Sequence, residues 1–383
     1  MKTVCKLNQC AGCMACIGKC PKNAIEIRDS MLSYNAIIDE NKCVACGVCH
    51  KVCHVNNFDE FQEPIYWKQG WAKQDMIRKN ASSGGIASAI EFAFIKKGGC
   101  VCSCIFEKGN FKFKIIDDIY NINSFAGSKY VKSNPQNIYS EIQNRLKKEQ
   151  KVLFVGLPCQ VAAMKKAFNK KLQNNFYTID LICHGTPSPK ILEIFLKQYG
   201  LQLSEIRDIQ FRTKNKFSLK KDHKYISMPG TLDRYSIAFL NSISYTENCY
   251  SCKYAKLERV SDITLGDSWG SLLNKEIQKQ GLSLILCQSE KGKELLNMAD
   301  LELIDVDLEI AIANNHQLEH PSPMPNKRSM FFEKLEKGEK FNSLIGKIYF
   351  KQSFKQIVKG ILIKIGVWGG EKINYGIIIS TEK

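Results

Sequence analysis

The feature that most constrains this chain is a cysteine pattern that occurs twice within the first sixty residues. Each copy reads Cys-x2-Cys-x2-Cys-x3-Cys, and the copies are Cys10, Cys13, Cys16 and Cys20, followed by Cys43, Cys46, Cys49 and Cys53. Three cysteines of such a run bind one cube of four irons, and the fourth reaches the other cube. We therefore predict two [4Fe-4S] clusters, with the ligand sets Cys10, Cys13, Cys16 and Cys53, and Cys20, Cys43, Cys46 and Cys49.

Other uses of these cysteines fit the pattern poorly. The chain has 17 cysteines and no apolar leader after Met1, so we expect a cytoplasmic protein whose thiols stay reduced rather than a disulfide framework. Structural zinc prefers separate paired knuckles. Cys46 to His50 matches a haem-attachment motif, but both of its cysteines are already assigned to a cluster.

The charge and hydropathy of the chain narrow the choice of partners. The formal net charge is +17, but the lysines are dispersed and cluster-bound thiolates lower the charge, so we expect no nucleic acid. An acidic redox carrier such as a ferredoxin or flavodoxin is the expected partner. The apolar stretch 354–368 is interrupted by lysines, so we expect no transmembrane segment.

The pattern divides the chain into three regions. Residues 1–62 form the small cluster-binding domain, which we expect to be organised by metal rather than by an apolar core. Residues 63–335 alternate strand and helix patterns, which predicts an α/β domain. Residues 336–383 are basic and amphipathic; we expect the apolar face of this extension to pack onto the body, with a membrane surface or a partner protein as the alternative.

Several elements of the middle region can be predicted individually. Ser188 and Pro189 are a typical N-cap and first residue of a helix that ends near Gly200. The other predicted elements are helices over 86–97 and 160–168, and strands over 100–106, 152–155 and 176–182.

A second group of cysteines lies in this middle region. Cys159 and Cys183 follow the ends of two predicted strands, where ligands gather in α/β sheets, and Cys249 and Cys252 form a C-x2-C knuckle. Together they supply four ligands, but buried structural cysteines beside an incidental knuckle explain the spacing equally well. We assign the remaining cysteines to packing: Cys5, Cys100, Cys102, Cys104 and Cys287.

A helix start at residues 82–85 is a candidate phosphate site. Free backbone N–H groups and the positive end of the dipole meet there, although such a sequence is also an ordinary helix cap. The candidate residues are Ser82, Ser83, Gly84 and Gly85, with Lys129 and Arg212 as candidate cations for the anion. The chain has neither a dinucleotide fingerprint nor a P-loop, which disfavours NAD and ATP sites, and no catalytic side chain stands out.

Six motifs in this order resemble the family of coenzyme F420 hydrogenase/dehydrogenase beta subunits, including its bacterial members associated with polysaccharide gene clusters. They are Asn80–Gly85, Gly127–Val131, Gly156–Gln160, Asp180–Gly185, Cys249–Cys252 and Ser261–Asp267.

The resemblance implies an α+β protein in which a ferredoxin-like module precedes a larger α/β flavin-binding domain. It also implies FAD at the helix start, and a third [4Fe-4S] cluster on Cys159, Cys183, Cys249 and Cys252. The expected function is an iron–sulfur flavoprotein oxidoreductase of unassigned substrate. The alternatives are a non-catalytic electron-transfer subunit and a glycan-pathway accessory protein that keeps the fold.

Overall fold

The computed structural model describes residues 2–57, 59–135 and 137–367. The strands, in chain order, are β1 Ile25–Asp29, β2 Tyr34–Ile38, β3 Tyr66–Ala72, β4 Cys100–Glu107, β5 Asn110–Ile116, β6 Val152–Val155, β7 Phe176–Leu181, β8 Ile209–Thr213, β9 Lys216–Lys221, β10 Lys224–Tyr225, β11 Ile263–Asp267, β12 Ser283–Cys287 and β13 Leu301–Ile304. The α-helices are α1 Ala15–Lys19, α2 Val48–Val52, α3 Asp75–Asn80, α4 Ile86–Lys96, α5 Ile138–Lys147, α6 Pro158–Ala167, α7 Lys170–Gln173, α8 Pro189–Lys197, α9 Arg234–Leu240, α10 Lys275–Lys279, α11 Glu290–Met298, α12 Leu308–Ala313, α13 Arg328–Glu336, α14 Phe341–Ile348 and α15 Phe350–Lys364.

An eight-stranded mixed sheet forms the centre of the molecule, in the order β13-β3-β12-β11-β7-β6-β4-β5. The middle strands β4, β6, β7 and β11 are parallel, and the strands on both flanks pair antiparallel. Parallel strands are covered on both faces, which explains why all four residues of β6 are buried. The predicted α+β class, with a larger α/β domain, is confirmed.

The predicted elements are present with small shifts at their ends. Helix α8 begins at Pro189, and its N-cap Ser188 accepts a hydrogen bond from the backbone N–H of Lys190. Helix α6 begins at Pro158, two residues earlier than predicted, because Pro158 is well suited to a first helical position. Cys159 therefore lies in the first turn of α6 rather than in a preceding loop.

The N-terminal module is not organised by metal alone. Val4, Ala36 and other buried residues of the module join one apolar cluster with Ile142 of α5 and Val161 of α6. The Tyr139 hydroxyl donates to the Cys13 carbonyl at 2.6 Å, and Lys132 donates to the Ala11 carbonyl at 3.1 Å. The expectation that this module lacks an apolar core was wrong, because its core is completed by the larger domain. The domain boundaries themselves remain a prediction.

The C-terminal extension divides into two parts. Helix α14 packs into the body through Phe341, Leu344 and Ile345, which are buried beside α13. In α15, by contrast, the apolar residues expected to pack are largely exposed, so that expectation was wrong for this helix. Residues 368–383 lie outside the described residues. Within the described part of the chain, no helix is both long enough and apolar enough to cross a membrane.

Candidate functional site: three cysteine clusters and a large cavity

The first group of cysteines lies at the surface of the N-terminal module. Cys20, Cys43, Cys46 and Cys49 line one small pocket, and Cys46 is exposed. The backbone N–H groups of Ala24 and Ala45 donate to the sulfurs of Cys20 and Cys43 at 3.3 and 3.4 Å. Hydrogen bonds to ligand sulfur are one determinant of cluster potential. This is the set that the crossed spacing of the two motifs predicts.

The second group is buried beneath it. Cys10, Cys13, Cys16 and Cys53 are each only 6–7% exposed. Burial raises the pKa of the Cys16 thiol, and the neighbouring Cys10 and Cys53 raise it further. Cys5 interacts with both Cys10 and Cys53, and its hydrogen bond lowers the pKa of Cys53 to about 6. The structure thus groups Cys53 with the first run rather than with its own, as predicted from the motif.

The third group brings together residues that are distant in sequence. Cys159, Cys183, Cys249 and Cys252 line one cavity of about 250 Å³. Burial is the main reason why the pKa of Cys159 rises to about 12 and that of Cys252 to about 11. Ligating thiols must lose their protons, so binding of a metal cluster at this cavity would release protons.

The spacing of these thiols bears on what they could bind. Among the described residues, no group of three or more His, Cys, Asp or Glu side chains is arranged to hold a single metal ion. One zinc ion would draw its sulfurs to about 2.3 Å from a common centre. A cube of four irons instead uses one cysteine for each iron, so its ligands are spread around a larger volume. Four cysteines around a cavity suit the larger group.

A buried polar chain reaches the wall of the 250 Å³ cavity. The Tyr254 hydroxyl donates to Asp59 at 2.6 Å and lies 2.7 Å from Nδ1 of His54, so Nδ1 carries the proton. Lys166 and Lys253 pair with Asp59 at 3.0 and 2.8 Å. Burial lowers the pKa of His54 to about 4, so the ring is neutral and its Nε2 is an unprotonated acceptor. His54 is therefore a cavity residue. Its only sequence signal is that it follows Cys53 at the position where the first motif has Pro21.

A larger cavity of about 460 Å³ lies next to the third group. Of the residues predicted to bind a cofactor, five line it: Ser82, Ser83, Gly85, Lys129 and Arg212. Ile86, Ala87 and Ser88, in the first turn of α4, also face it. The positive end of α4 is therefore directed at this space.

Gly84 has a different position from its neighbours. It does not line the cavity; its N–H donates to the hydroxyl of Ser283 at 3.0 Å. A Cβ at this position would lie 2.4 Å from the carbonyl oxygen of Gly70. Gly84 therefore allows the loop to lie against β3 and β12, which is a packing role.

The two predicted cations differ in how their charges are balanced. Arg212 is 5% exposed and binds Asp267 through two hydrogen bonds, of 2.7 and 2.8 Å. Burial opposes its charge, but the Asp267 pair keeps its pKa raised. Lys129 donates to the carbonyls of Phe125 and Ala126, and burial lowers its pKa. Because Asp267 already neutralises Arg212, Lys129 is the stronger candidate for pairing with an anion.

The two cavities share part of their walls. Leu157, Cys183, His184, Gly185 and Thr186 line both of them. These residues belong to the segments that follow β6 and β7, the neighbouring parallel strands. Groups held in the two cavities would therefore be separated only by these two short segments.

Comparison with known proteins agrees with this organisation. Residues 149–307 match the family described as the C terminus of the coenzyme F420 hydrogenase/dehydrogenase beta subunit, and residues 9–57 match the 4Fe-4S dicluster domain. The chain thus combines the C-terminal domain of this beta-subunit family with an N-terminal 4Fe-4S dicluster domain. The first match contains the third cysteine group, and the dicluster match contains the first two. Iron–sulfur electron transfer of the oxidoreductase type follows from these matches.

Relatives of the chain are redox proteins. It is 24% identical to the F subunit of the F420H2 dehydrogenase of Methanosarcina mazei, over 73% of this chain and 83% of the relative. It is 23% identical to the coenzyme F420-dependent sulfite reductase of Methanocaldococcus jannaschii, over 76% of this chain and 46% of the relative. A chain of the F420-reducing [NiFe] hydrogenase complex of Methanosarcina barkeri aligns at 18% identity, with a TM-score of 0.49, over 74% of this chain and 97% of that one.

Several residues of the large cavity escaped the sequence analysis. Glu91 is 3% exposed and lines the large cavity, and burial raises its pKa to about 7. Its signal was a lone carboxylate in the apolar run of α4. Cys104 was assigned to packing, yet it also lines the cavity. Tyr130 and Trp269 line it as well, and they gave no sequence signal as site residues beyond the motif that contains Tyr130.

Proposed function

We propose that the protein is an iron–sulfur flavoprotein oxidoreductase that carries electrons through three [4Fe-4S] clusters to FAD. The observation that carries this proposal is the shared wall between the four-cysteine cavity and the 460 Å³ cavity. FAD exchanges electrons singly with clusters and in pairs with a substrate. We infer a cytoplasmic protein, in which free thiols remain available for iron.

The order of the sites supports a path from the surface inward. Cys46 of the first group is exposed, whereas the second group is buried. Residues next to the second group, including Ala11 and His54, line the cavity of the third. The third group in turn adjoins the large cavity through Cys183. The second and third groups therefore each have a neighbour on either side, as a chain of electron carriers requires.

The large cavity has the chemistry that a dinucleotide diphosphate needs. The first turn of α4 supplies backbone N–H groups, Ser82 supplies a hydroxyl, and Lys129 supplies a positive charge. The Ser83 hydroxyl already donates to the Leu282 carbonyl at 2.8 Å. The Ser82 hydroxyl also accepts a hydrogen bond from the Ser128 N–H at 2.8 Å, which connects two segments that line the cavity. In this proposal these residues bind and orient the cofactor, and the wall shared with Cys183 would bring it close to the third cluster.

The surface group is the proposed point of electron entry. Lys22 lines its pocket, and Lys51 is exposed on α2. These charges would steer a small acidic carrier such as a ferredoxin or flavodoxin toward Cys46. The names of the relatives favour a second electron partner, the deazaflavin coenzyme F420, which would exchange a hydride with the flavin.

The decisive experiment is cofactor analysis of protein purified without oxygen. We expect the heat-released cofactor to be FAD rather than FMN. Lys129→Gln should lower the affinity for FAD by roughly ten- to a hundred-fold, since a charge-assisted hydrogen bond contributes about 1.5–3 kcal/mol. Lys97→Gln, at an exposed position where α4 ends, is the matched control and should keep full occupancy.

The same preparation separates the alternatives. Clusters without flavin would indicate a non-catalytic electron-transfer subunit, and neither clusters nor flavin would indicate an accessory protein that keeps the fold. Bleaching of the flavin by reduced F420 would identify the hydride partner, and its absence would leave the carrier protein as the electron donor.

A further inference from the structure

Helix α15 has an apolar stripe that the described part of the chain leaves uncovered. Phe350, Phe354, Ile357, Ile361 and Ile365 recur every three or four residues and so share one face. Each of them is more than half exposed, from 52% at Ile357 to 66% at Phe350. Folded proteins rarely leave a continuous apolar strip of this kind in water unless it binds something.

The stripe faces outward because the opposite side of α15 is fixed to the body. The side-chain oxygen of Gln356 accepts from the Leu232 N–H at 3.0 Å, and that of Gln352 accepts from the Asn241 side chain at 2.8 Å. Ser353, on the same side, is 2% exposed. The orientation of the helix is thus determined by specific polar contacts that hold the apolar stripe toward solvent.

Lysines border the stripe along both of its edges. At 100° per residue, Lys351 and Lys355 lie beyond one edge, and Lys364 lies on the other, whereas Lys359 is on the side of the helix that faces the body. None of these four lysines forms an ion pair with a carboxylate among the described residues. The charges of Lys351, Lys355 and Lys364 are therefore available to an anionic group that covers the stripe.

We propose that α15 attaches the protein to an anionic lipid surface. An apolar stripe flanked by lysines is the pattern of helices that lie in the membrane interface, with lysines reaching the headgroup phosphates. A second copy of the chain would instead bring two rows of lysines together. The attachment is peripheral, since no described helix can span a bilayer.

The proposal is tested by vesicle flotation of the full-length protein with its cofactors. The vesicles are phosphatidylcholine alone, or phosphatidylcholine with phosphatidylglycerol. We expect binding to the anionic vesicles only. Phe354→Glu with Ile361→Glu should abolish it, whereas Leu272→Glu, at a position 86% exposed outside α15, should not. Replacing Lys351, Lys355 and Lys364 by Gln should lower the partition coefficient by on the order of a hundred-fold, at about five-fold per lysine.

Three results would overturn the proposal. The first is a wild-type protein that does not float with anionic vesicles. The second is binding that the Phe354→Glu, Ile361→Glu variant retains. The third is binding that begins only after residues 368–383 are removed, because the chain's own terminus would then be the occupant of the stripe. A dimer dissociated by the double variant, without lipid binding, falls under the first result and would assign the stripe to a second copy.

Discussion

The third cysteine group provides the sharpest prediction. Changing Cys249→Ser together with Cys252→Ser removes two of the four thiols around the 250 Å³ cavity and leaves the eight cysteines of the first two groups in place. Three four-cysteine groups predict about 12 irons per chain, so the variant should keep about 8.

The structure explains why the variant should remain folded. The segment before Cys249 is held by backbone hydrogen bonds from Thr246 to Thr186 at 3.0 Å and from Glu247 to Leu32 at 2.8 Å. These bonds do not involve either cysteine. The loss of iron should therefore be confined to the third site.

The assay is iron and acid-labile sulfide analysis after anaerobic reconstitution, with EPR of the reduced protein. Cys287→Ser is the matched control: this buried cysteine lies in β12, away from the three groups, and donates to the Ser289 carbonyl, which a serine hydroxyl can also do. It should retain about 12 irons. A wild-type protein that saturates at about 8 irons, or a double variant that keeps about 12, would refute the reasoning.

Three further predictions concern Glu91, Gly84 and the first cysteine group. Burial raises the pKa of Glu91 from 4.5 to about 7, so the folded chain holds this proton more tightly than the unfolded chain. Stability should consequently fall by up to about 3 kcal/mol as pH rises through that interval, and urea midpoints of Glu91→Gln should lack this part of the slope. Gly84→Ala should destabilise by about 1–3 kcal/mol through overpacking, whereas Gly346→Ala, with open space around it, should not; equal urea midpoints would contradict the packing role. In anaerobic stopped-flow, reduced ferredoxin or flavodoxin should bleach the clusters at a rate that falls with added salt, and saturable bleaching by NADH would reveal a nicotinamide site.

Local sequence determined the first two cysteine groups almost completely. Cys10, Cys13 and Cys16 lie within seven residues of chain, so their spacing alone predicts that they share one cube. The same is true of Ser188 and Pro189 at the start of α8, where the cap is made by adjacent residues. Such features depend on short-range geometry, which a sequence pattern describes well.

The sequence was less informative wherever a partner came from elsewhere in the fold. Without the family resemblance, the residues left two explanations for Cys159, Cys183 and the Cys249–Cys252 knuckle. Their meeting around one cavity depends on β6 and β7 being neighbours in the sheet. Arg212 illustrates the same limit, since its pairing with Asp267 decides that its charge is already balanced.

Helix α15 shows most clearly what the sequence determines and what the tertiary structure determines. The periodicity of Phe354, Ile357 and Ile361 determined that the chain would form an amphipathic helix. Which side of that helix faces the body was decided by the hydrogen bonds of Gln352 and Gln356 to residues more than a hundred positions earlier. Periodicity records which residues share a face, but only the tertiary structure records what that face meets, because contacts between distant segments depend on the path of the whole chain.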